Sequence, residues 1–348
     1  MWLNDHHLNP SLEEIGRLPE TIPQIHAIKE VLSRWITDDC LHLTTSGSTG
    51  DPAKIELPGN LVRWSIQQTT SFLKLTNEHV LLCIPADKAG GAMLLLRSWE
   101  NGFTVESAEP TGNPLKDIPT NHPYSLISLV PYQIARILDD GDASKLKRFR
   151  TILIGGGSIH PELEDQLLRV FGMDSHCFHT YGMTETASHI ALRRIGQKSY
   201  VPFSGVELSV DEDHRLRIGI PALDIDLLTN DRVQLNPNGF VFAGRVDEVV
   251  NSGGLKIDTH RLSNHIQEIL SGRLSLEFVL VGEPDPRWGE RLVMIYKAPA
   301  DASKLISILS DHLDPTHLPK SFRVVTDWVR TSTGKIHPAE SLKQSVKI

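Results

Sequence analysis

Thr151-Ile152-Leu153-Ile154-Gly155-Gly156-Gly157-Ser158-Ile159-His160-Pro161 is the stretch from which the fold is read. Its first four residues form an apolar, mostly β-branched run, long enough for a buried strand and too short for a helix. Three glycines end the run. The segment Pro161 to Phe171 then reads as a helix opened by proline. The same unit recurs toward the N-terminus. Ser125-Leu126-Ile127-Ser128-Leu129 reads as a strand and Pro131 to Leu138 as its helix. Val80-Leu81-Leu82-Cys83-Ile84 is a strand stopped by Pro85, Ala89 to Trp99 is helix-like, and Phe103-Thr104-Val105 is a short strand. Leu61 to Leu73 reads as an amphipathic helix. In the first forty residues Ile25, Ile28, Val31, Leu32 and Trp35 recur at three- and four-residue spacing. Alternation of this kind implies an α/β fold with a mostly parallel sheet and helices on both faces. Ligands of such sheets gather beyond the carboxyl ends of the strands.

Toward the C-terminus the texture changes twice. From Val201, short alternating segments (Val206 to Val210, Leu216 to Ile218, Ile225 to Leu228, Val233 to Leu235, Phe240 to Phe242) form a β-rich subdomain with an Asn238-Gly239 turn. Beyond Gly244 come a helix (Arg261 to Leu270), strands (Phe278 to Val281, Leu292 to Tyr296), a helix (Ser303 to Leu313) and a strand (Arg323 to Val325). The expected organisation is a large N-terminal domain, residues 1–244, and a small α+β C-terminal domain, residues 245–348, with the boundary at Arg245-Val246-Asp247.

Composition narrows the function classes. The 348 residues are 40% hydrophobic and 22% charged, as in an ordinary soluble globular protein. A net charge of −8 without a Lys/Arg block argues against nucleic acid as partner. Cys40, Cys83 and Cys177 are far apart, each in an apolar run, and read as reduced core residues rather than a disulfide or zinc framework. No secretory signal is visible in Met1 to His7, and the longest apolar stretches, such as Ala92 to Leu96, cannot span a bilayer. A cytoplasmic protein is expected.

Six stretches carry candidate chemistry. Thr44-Thr45-Ser46-Gly47-Ser48-Thr49-Gly50 places five hydroxyls and two glycines within seven residues. Hydroxyls donate without adding charge, and glycines let successive N–H groups converge on an anion. The Walker-A pattern is absent, and an ordinary polar loop has the same composition. His179-Thr180-Tyr181-Gly182-Met183-Thr184-Glu185-Thr186 offers a flat ring for a base, a hydroxyl for a phosphate and a hard oxygen for Mg²⁺. Taken alone it reads equally well as a core tyrosine with a capping Thr/Glu pair. Asn230-Asp231 supplies a carboxylate able to accept both hydroxyls of a ribose. Gly244-Arg245-Val246-Asp247-Glu248 and Ser252-Gly253-Gly254-Leu255-Lys256 follow, and Thr331-Ser332-Thr333-Gly334-Lys335 presents one lysine on a hydroxyl/glycine turn.

In this order the stretches resemble the adenylate-forming superfamily of acyl- and aryl-CoA ligases, peptide-synthetase adenylation domains and luciferases, from Thr44 to Lys335. The resemblance implies ATP, Mg²⁺ and coenzyme A as cofactor and co-substrates. It implies that Thr45, Ser46, Gly47, Ser48, Thr49 and Gly50 hold the ATP phosphates. Gly155, Gly156, Gly157 and Tyr181, with Gly182 and Met183, would hold the adenine. Thr184 would bind phosphate, Glu185 the metal, and Asp231 and Arg245 the ribose. Asp247 is implied as the hinge of a mobile C-terminal domain, Gly253 and Gly254 as lining the coenzyme A channel, and Lys335 as the catalytic lysine between substrate carboxylate and α-phosphate.

The chain departs from the family pattern where Ala53 separates Pro52 from Lys54, where Pro85 to Gly91 lacks a histidine, and where Asn230 replaces glycine. It is also shorter than most relatives, with residues 1–40 as a truncated N-terminal part. In length, in Leu153 to Gly157, and in Cys83-Ile84-Pro85 followed by Gly91, Met93 and Arg97, it resembles the short bacterial o-succinylbenzoate–CoA ligases of menaquinone biosynthesis. A small, aromatic carboxylic acid is therefore the expected partner. A dicarboxylate would want a cation, for which Lys88, Arg97 and His189 are candidates, each also readable as an ordinary surface or structural residue. The alternatives are an adenylating enzyme that loads a carrier protein or other acceptor, and a non-catalytic nucleotide-binding relative. Oligomeric state is left open.

If the lysine is delivered for one half-reaction only, Lys335→Ala abolishes adenylate formation and leaves thiolysis of a supplied adenylate largely intact. Separate assays of the two half-reactions check this.

Overall fold

The strand–helix units become one nine-stranded sheet. In the computed structural model the described residues are 1–44, 54–173, 176–246, 248–253, 255–298, 301–330 and 336–348. The strands of the first part are β1 (Trp2–Leu3), β2 (His6–His7), β3 (Cys40–Thr44), β4 (Lys54–Pro58), β5 (His79–Leu82), β6 (Thr104–Ser107), β7 (Leu126–Leu129), β8 (Thr151–Ile154), β9 (Cys177–Gly182), β10 (His189–Arg194) and β11 (Val201–Pro202). The sheet order is β11-β10-β9-β8-β7-β5-β6-β1-β2. From β9 across to β1 neighbouring strands are parallel, while β10, β11 and β2 are antiparallel additions at the two edges. The helices are α1 (Leu12–Gly16), α2 (Ile25–Asp38), α3 (Gly59–Leu73), α4 (Ala89–Asn101), α5 (Pro131–Asp139), α6 (Ala143–Leu146) and α7 (Pro161–Phe171). Proline stands in the first turn of α5 and α7, where its missing N–H costs nothing.

Burial on both faces explains why the parallel strands read as continuous apolar runs. On one face Leu81, Ile127, Leu129, Ile152 and Ile154 pack with Ile134 and Ile137 of α5 and Leu167 of α7. On the other, Val80, Leu82, Leu126 and Leu153 are equally buried. Each such side chain contributes about 1.5–3 kcal/mol relative to exposure. The α2 stripe behaves as its spacing implies: Ile25, Ile28, Val31, Leu32 and Trp35 are all buried. Cys83 and Cys177 are buried thiols, and burial pushes Cys177 up to about 12, which makes it inert at neutral pH.

The strand order reverses between β5 and β7, the place where a crevice opens at the carboxyl ends of such sheets. Buried Gln133 closes this point. Its Nε2 donates to the Cys83 and Thr111 carbonyls at 2.9 and 3.0 Å, and its Oε1 accepts from the Val130 N–H at 3.1 Å.

The described residues divide into two compact units. One holds Met1–Val206 and Ile220–Asp224, the other Glu207–Gly219 and the described residues from Ile225 onward. The second unit contains a four-stranded sheet, β12 (Glu207–Val210), β13 (Arg215–Ile220), β14 (Ile225–Asn236) and β15 (Gly239–Arg245), in sequence order. The segments Ile225 to Leu228 and Val233 to Leu235, expected as separate strands, are one strand. The polar Asn230-Asp231 between them continues the ladder, with Asp231 opposite Arg245 and a bulge between Arg232 and Val233.

Its second sheet joins β16 (Val249–Ser252), β17 (Leu255–Asp258), β18 (Phe278–Asp285), β19 (Gly289–Lys297), β20 (Ser321–Val325) and β21 (Val346–Lys347). The sheet packs on α8 (Thr259–Leu270) and α9 (Ala302–His312), with a last helix α10 (Pro338–Gln344). Asp258 and Asp301 cap α8 and α9 by accepting backbone N–H groups. The hairpin of β16 and β17 is absent from the sequence reading: Leu255-Lys256-Ile257-Asp258 alternates, but each strand is only four residues long, too short a run for its period to stand out. The expected boundary at 245–247 falls between the end of one sheet and the start of the other.

Ile127 sits at the centre of the larger sheet, fully buried. Ile127→Ala costs about 2–5 kcal/mol through lost burial and the cavity left behind, measurable as a lowered urea midpoint.

Candidate active site

Two of the expected stretches lie side by side at the carboxyl ends of β8 and β9. The glycine turn leaves β8 with the Gly155 N–H donating to the Leu129 carbonyl at 3.0 Å. A Cβ on Gly155 would stand 2.6 Å from Thr180 Oγ1, so a side chain is excluded there, and Gly156 has φ +79°, a left-handed conformation that favours glycine. Next to it, β9 ends at Tyr181 and Gly182. Tyr181 is buried with its ring 5.6 Å from that of Tyr200.

The turn from β9 into β10 is held by close backbone approach. A Cβ on Gly182 would meet the Ser188 carbonyl oxygen at 2.2 Å. Thr186 Oγ1 accepts from the Met183 N–H at 3.2 Å and lies 2.7 Å from the Ser188 carbonyl and 3.0 Å from that of Met183. Ala187 takes φ +62°, and Thr184–Thr186 form a single 3-10 turn. Thr184 and Glu185 are thereby lifted out of the sheet, Glu185 with its side chain exposed. Among the described residues no cluster of three or more His, Cys, Asp or Glu side chains could hold a metal ion. A lone exposed carboxylate suits Mg²⁺, which keeps several waters and takes its other ligands from phosphates.

The turn also brings together two residues from distant parts of the chain. His189 pairs with Gly182 across the ladder. Its Nε2 lies 3.0 Å from Thr69 Oγ1 of α3, and the same oxygen accepts from Arg97 Nη2 of α4 at 3.3 Å. Thr69 donates its own proton to the Ser65 carbonyl, and Ser65 meets Ser188 hydroxyl to hydroxyl at 2.9 Å. Arg97 is only 2% exposed, no carboxylate pairs with it among the described residues, and its Nε–H has no partner there. Burial lowers it to about 10, so it stays cationic at neutral pH. Burial, and then the Arg97 charge, hold the His189 ring neutral. An uncompensated buried guanidinium is costly. Lys88, the third candidate cation, stands at the start of α4 and pairs with Asp87 at 3.0 Å.

Beneath Tyr181, His179 joins the glycine turn to the strand. Its Nε2 lies 2.9 Å from the Gly157 carbonyl oxygen and its Nδ1 2.7 Å from the Tyr200 hydroxyl. Sequence reasoning quoted His179 without giving it a role. The available signal was its position two residues before Tyr181, on the same face of the strand. Thr69, Ser188 and Tyr200 had no such signal, being neighbours only through the fold.

In the second unit Asp231 and Arg245 are brought together as expected. Arg245 Nη1 donates to Asp231 Oδ1 at 2.9 Å, and Asp231 is 6% exposed. Gly253 has φ +63° in the turn from β16 to β17, where a Cβ would lie 2.7 Å from the Trp288 ring. Thr45, Ser46, Gly47, Ser48, Thr49 and Gly50, and likewise Asp247, Gly254 and Lys335, lie outside the described residues. The strands flanking the first of these stretches, β3 and β4, form an antiparallel pair in which Thr44 faces Lys54.

Comparison with known proteins places the chain. A family model described as AMP-binding enzyme matches residues 21–237. The chain belongs to the AMP-binding enzyme family. The match includes the glycine turn, Tyr181 to Glu185 and Asp231. Among curated relatives, a 2-succinylbenzoate–CoA ligase of Listeria monocytogenes is 26% identical over 336 residues, covering 88% of this chain and 70% of that one. An acyl-CoA synthetase (AMP-forming)/AMP-acid ligase II-like protein from Dyadobacter fermentans is 26% identical with a TM-score of 0.60, covering 96% of this chain and 98% of its own. The o-succinylbenzoate CoA synthetase of Bacillus subtilis, solved with its acyl-adenylate intermediate, shares the fold at 22% identity and a TM-score of 0.70, covering 88% of this chain and 69% of that one. Among the described residues of this AMP-binding enzyme no helix is long and apolar enough to cross a membrane.

Burial pushes His179 down to about 4 from its ordinary 6.5. The unfolded chain therefore binds this proton more readily than the folded one between those values. The contribution to stability is complete above about pH 6.5 and is lost as pH falls toward about 4. His179→Gln flattens that part of the fall, as urea midpoints across the range will measure.

Proposed function

We propose that this AMP-binding enzyme is an ATP-dependent acid–CoA ligase with o-succinylbenzoate, or a close aromatic dicarboxylate, as its acid. The observation that carries the reading is the adjacency of the Gly155–Gly157 turn and the Tyr181–Glu185 turn at the carboxyl ends of β8 and β9. Adenine would lie between the glycine turn and Tyr181, with phosphate at Thr184. Asp231 would accept the ribose hydroxyls, held in orientation by Arg245. Thr45 to Gly50 would donate to the phosphates.

A substrate carboxylate oxygen attacks the α-phosphorus, and the bond to pyrophosphate breaks. The thiol sulfur of coenzyme A then attacks the acyl carbon, and AMP leaves. Both partners of the first step are anions, so positioning and charge neutralisation supply most of the catalysis. Lys335 would provide a cation at the reacting oxygens, and Mg²⁺ held by Glu185 would neutralise phosphate charge. Residues 245–348 would move as a body about Asp247, bringing Lys335 for the first step and Gly253-Gly254 for the second. A ligase drawing on ATP and coenzyme A works in the cytoplasm.

Support for a dicarboxylate comes from Arg97. Its guanidinium is buried beside the Gly182–His189 turn with no carboxylate partner among the described residues, and Thr69 and neutral His189 complete a polar cluster around it. The second carboxylate of the acid would be the missing counter-charge. Lys88, already paired with Asp87, fits that role less well.

A panel of aromatic and aliphatic acids with ATP, magnesium and coenzyme A, read by pyrophosphate release and thioester mass, tests the function. Turnover with o-succinylbenzoate above the monocarboxylates is expected. Silence across the panel favours a nucleotide binder, and transfer only to a phosphopantetheinyl carrier protein favours a carrier-loading enzyme. Arg97→Met raises KM for the dicarboxylate by about tenfold or more, the worth of one charge-assisted contact, and changes KM for benzoate little. Equal losses on both acids would refute the role of Arg97.

A further inference from the structure

We propose that His179, as its Nε2–H tautomer, is a positioning residue that sets the separation between the Gly155–Gly157 turn and the Tyr181 ring, and so the width of the adenine slot. The inference rests on the reading of that slot given above.

The tautomer follows from the partners. A backbone carbonyl can only accept, so the ring nitrogen 2.9 Å from the Gly157 oxygen carries the proton. Nδ1 is then a lone pair, and two donors face it. The Tyr200 hydroxyl lies at 2.7 Å and Arg193 Nη2 at 3.4 Å. Arg193 also hydrogen-bonds the Tyr200 oxygen, which directs the phenolic proton toward Nδ1.

Arg193 itself is fixed. It grips both oxygens of Glu164 at 2.6 and 3.0 Å and donates to the Gln197 carbonyl at 2.6 Å. Glu164 in turn accepts the Gly196 N–H at 2.9 Å. The imidazole is thus oriented from α7, from β10 and from the segment leading into β11. Such outer partners fix which ring nitrogen is protonated and where it points.

The consequence for the slot is geometric. His179 and Tyr181 stand on one face of β9, two residues apart, and the Tyr200 ring touches both, at 5.7 and 5.6 Å between centroids. On the opposite face the Thr180 side chain fills the place a Cβ of Gly155 would need. One strand therefore holds the glycine turn at both ends, Thr180 against Gly155 and His179 on Gly157, while it carries the ring on the slot's other side. A base between a peptide plane and a ring needs those surfaces about 7 Å apart, twice the van der Waals contact distance. A turn released from His179 would no longer keep that spacing.

The test compares His179→Ala, His179→Gln and Tyr200→Phe with the wild type, after thermal melts confirm folding. It measures AMP affinity by calorimetry, KM for ATP, acid and coenzyme A separately, and the histidine tautomer by ¹⁵N NMR. His179→Ala is expected to raise the AMP Kd and the ATP KM about tenfold, the worth of one buried hydrogen bond to a slot-forming group, with the other constants within about twofold. His179→Gln, whose amide N–H can reach the same carbonyl, is expected to recover most of the loss. Tyr200→Phe is expected to show a mixed tautomer and a smaller ATP-specific loss.

Constants that rise together for all three substrates, or an Nδ1–H tautomer in the wild type, would overturn the proposal. So would wild-type AMP affinity in folded His179→Ala. Should His179→Ala fail to fold, unchanged AMP affinity in Tyr200→Phe would overturn it instead. If the wild type binds no adenine nucleotide, the slot reading falls with it; if the wild type binds AMP and the variants bind equally well, only the inference falls.

Discussion

Gly182 approaches the Ser188 carbonyl more closely than any side chain would allow. That contact lets β9 reverse into β10 within a few residues, and the rest of the site depends on it. The tight reversal forces Thr184–Thr186 into a single 3-10 turn standing clear of the sheet, which exposes Glu185. It also sets the register that puts His189 opposite Gly182, and through His189 it reaches Thr69 and Arg97. An added methyl group would have to move backbone, because the obstructing atom is a main-chain carbonyl oxygen immediately before β10.

The parallel sheet supplies the second constraint. Parallel strands share a direction, so their following loops emerge at one edge. The glycine turn after β8 and the Tyr181–Glu185 turn after β9 are neighbours for that reason alone. The fold can therefore hold two chemically distinct loops, one for the flat base and one for charge, without either contributing to the core. Beneath them the packing is conventional: apolar runs buried on both faces and a glutamine satisfying the carbonyls where the strand order reverses.

Two buried histidines near the site do different work. His179 sits among a tyrosine, an arginine and a carboxylate that leave it one stable protonation state and one orientation. His189 is held neutral by burial and by the Arg97 cation, so it hydrogen-bonds without adding charge beside a guanidinium that has no carboxylate partner among the described residues. The first arrangement is closed by protein groups. The second leaves a positive charge unpaired among the described residues, a state that is stable only with substantial support from the surrounding fold.

The sequence alone determined the strand–helix alternation, the parallel sheet and the candidate stretches, since periodicity, glycine and proline act over a few residues. It identified Arg97 and His189 separately as candidate cations. It could not place them on one threonine, because they meet through the register of β10 and the packing of α3 against α4. The merging of two expected strands into β14 and the hairpin of β16 and β17 were likewise hidden, because polar Asn230-Asp231 joins the ladder only through its pairing with β15, and the four-residue strands β16 and β17 are too short to show a period. The tautomer of His179 was decided only by the tertiary structure: a ring nitrogen takes its proton according to what faces it, and the groups that do so come from three separate segments.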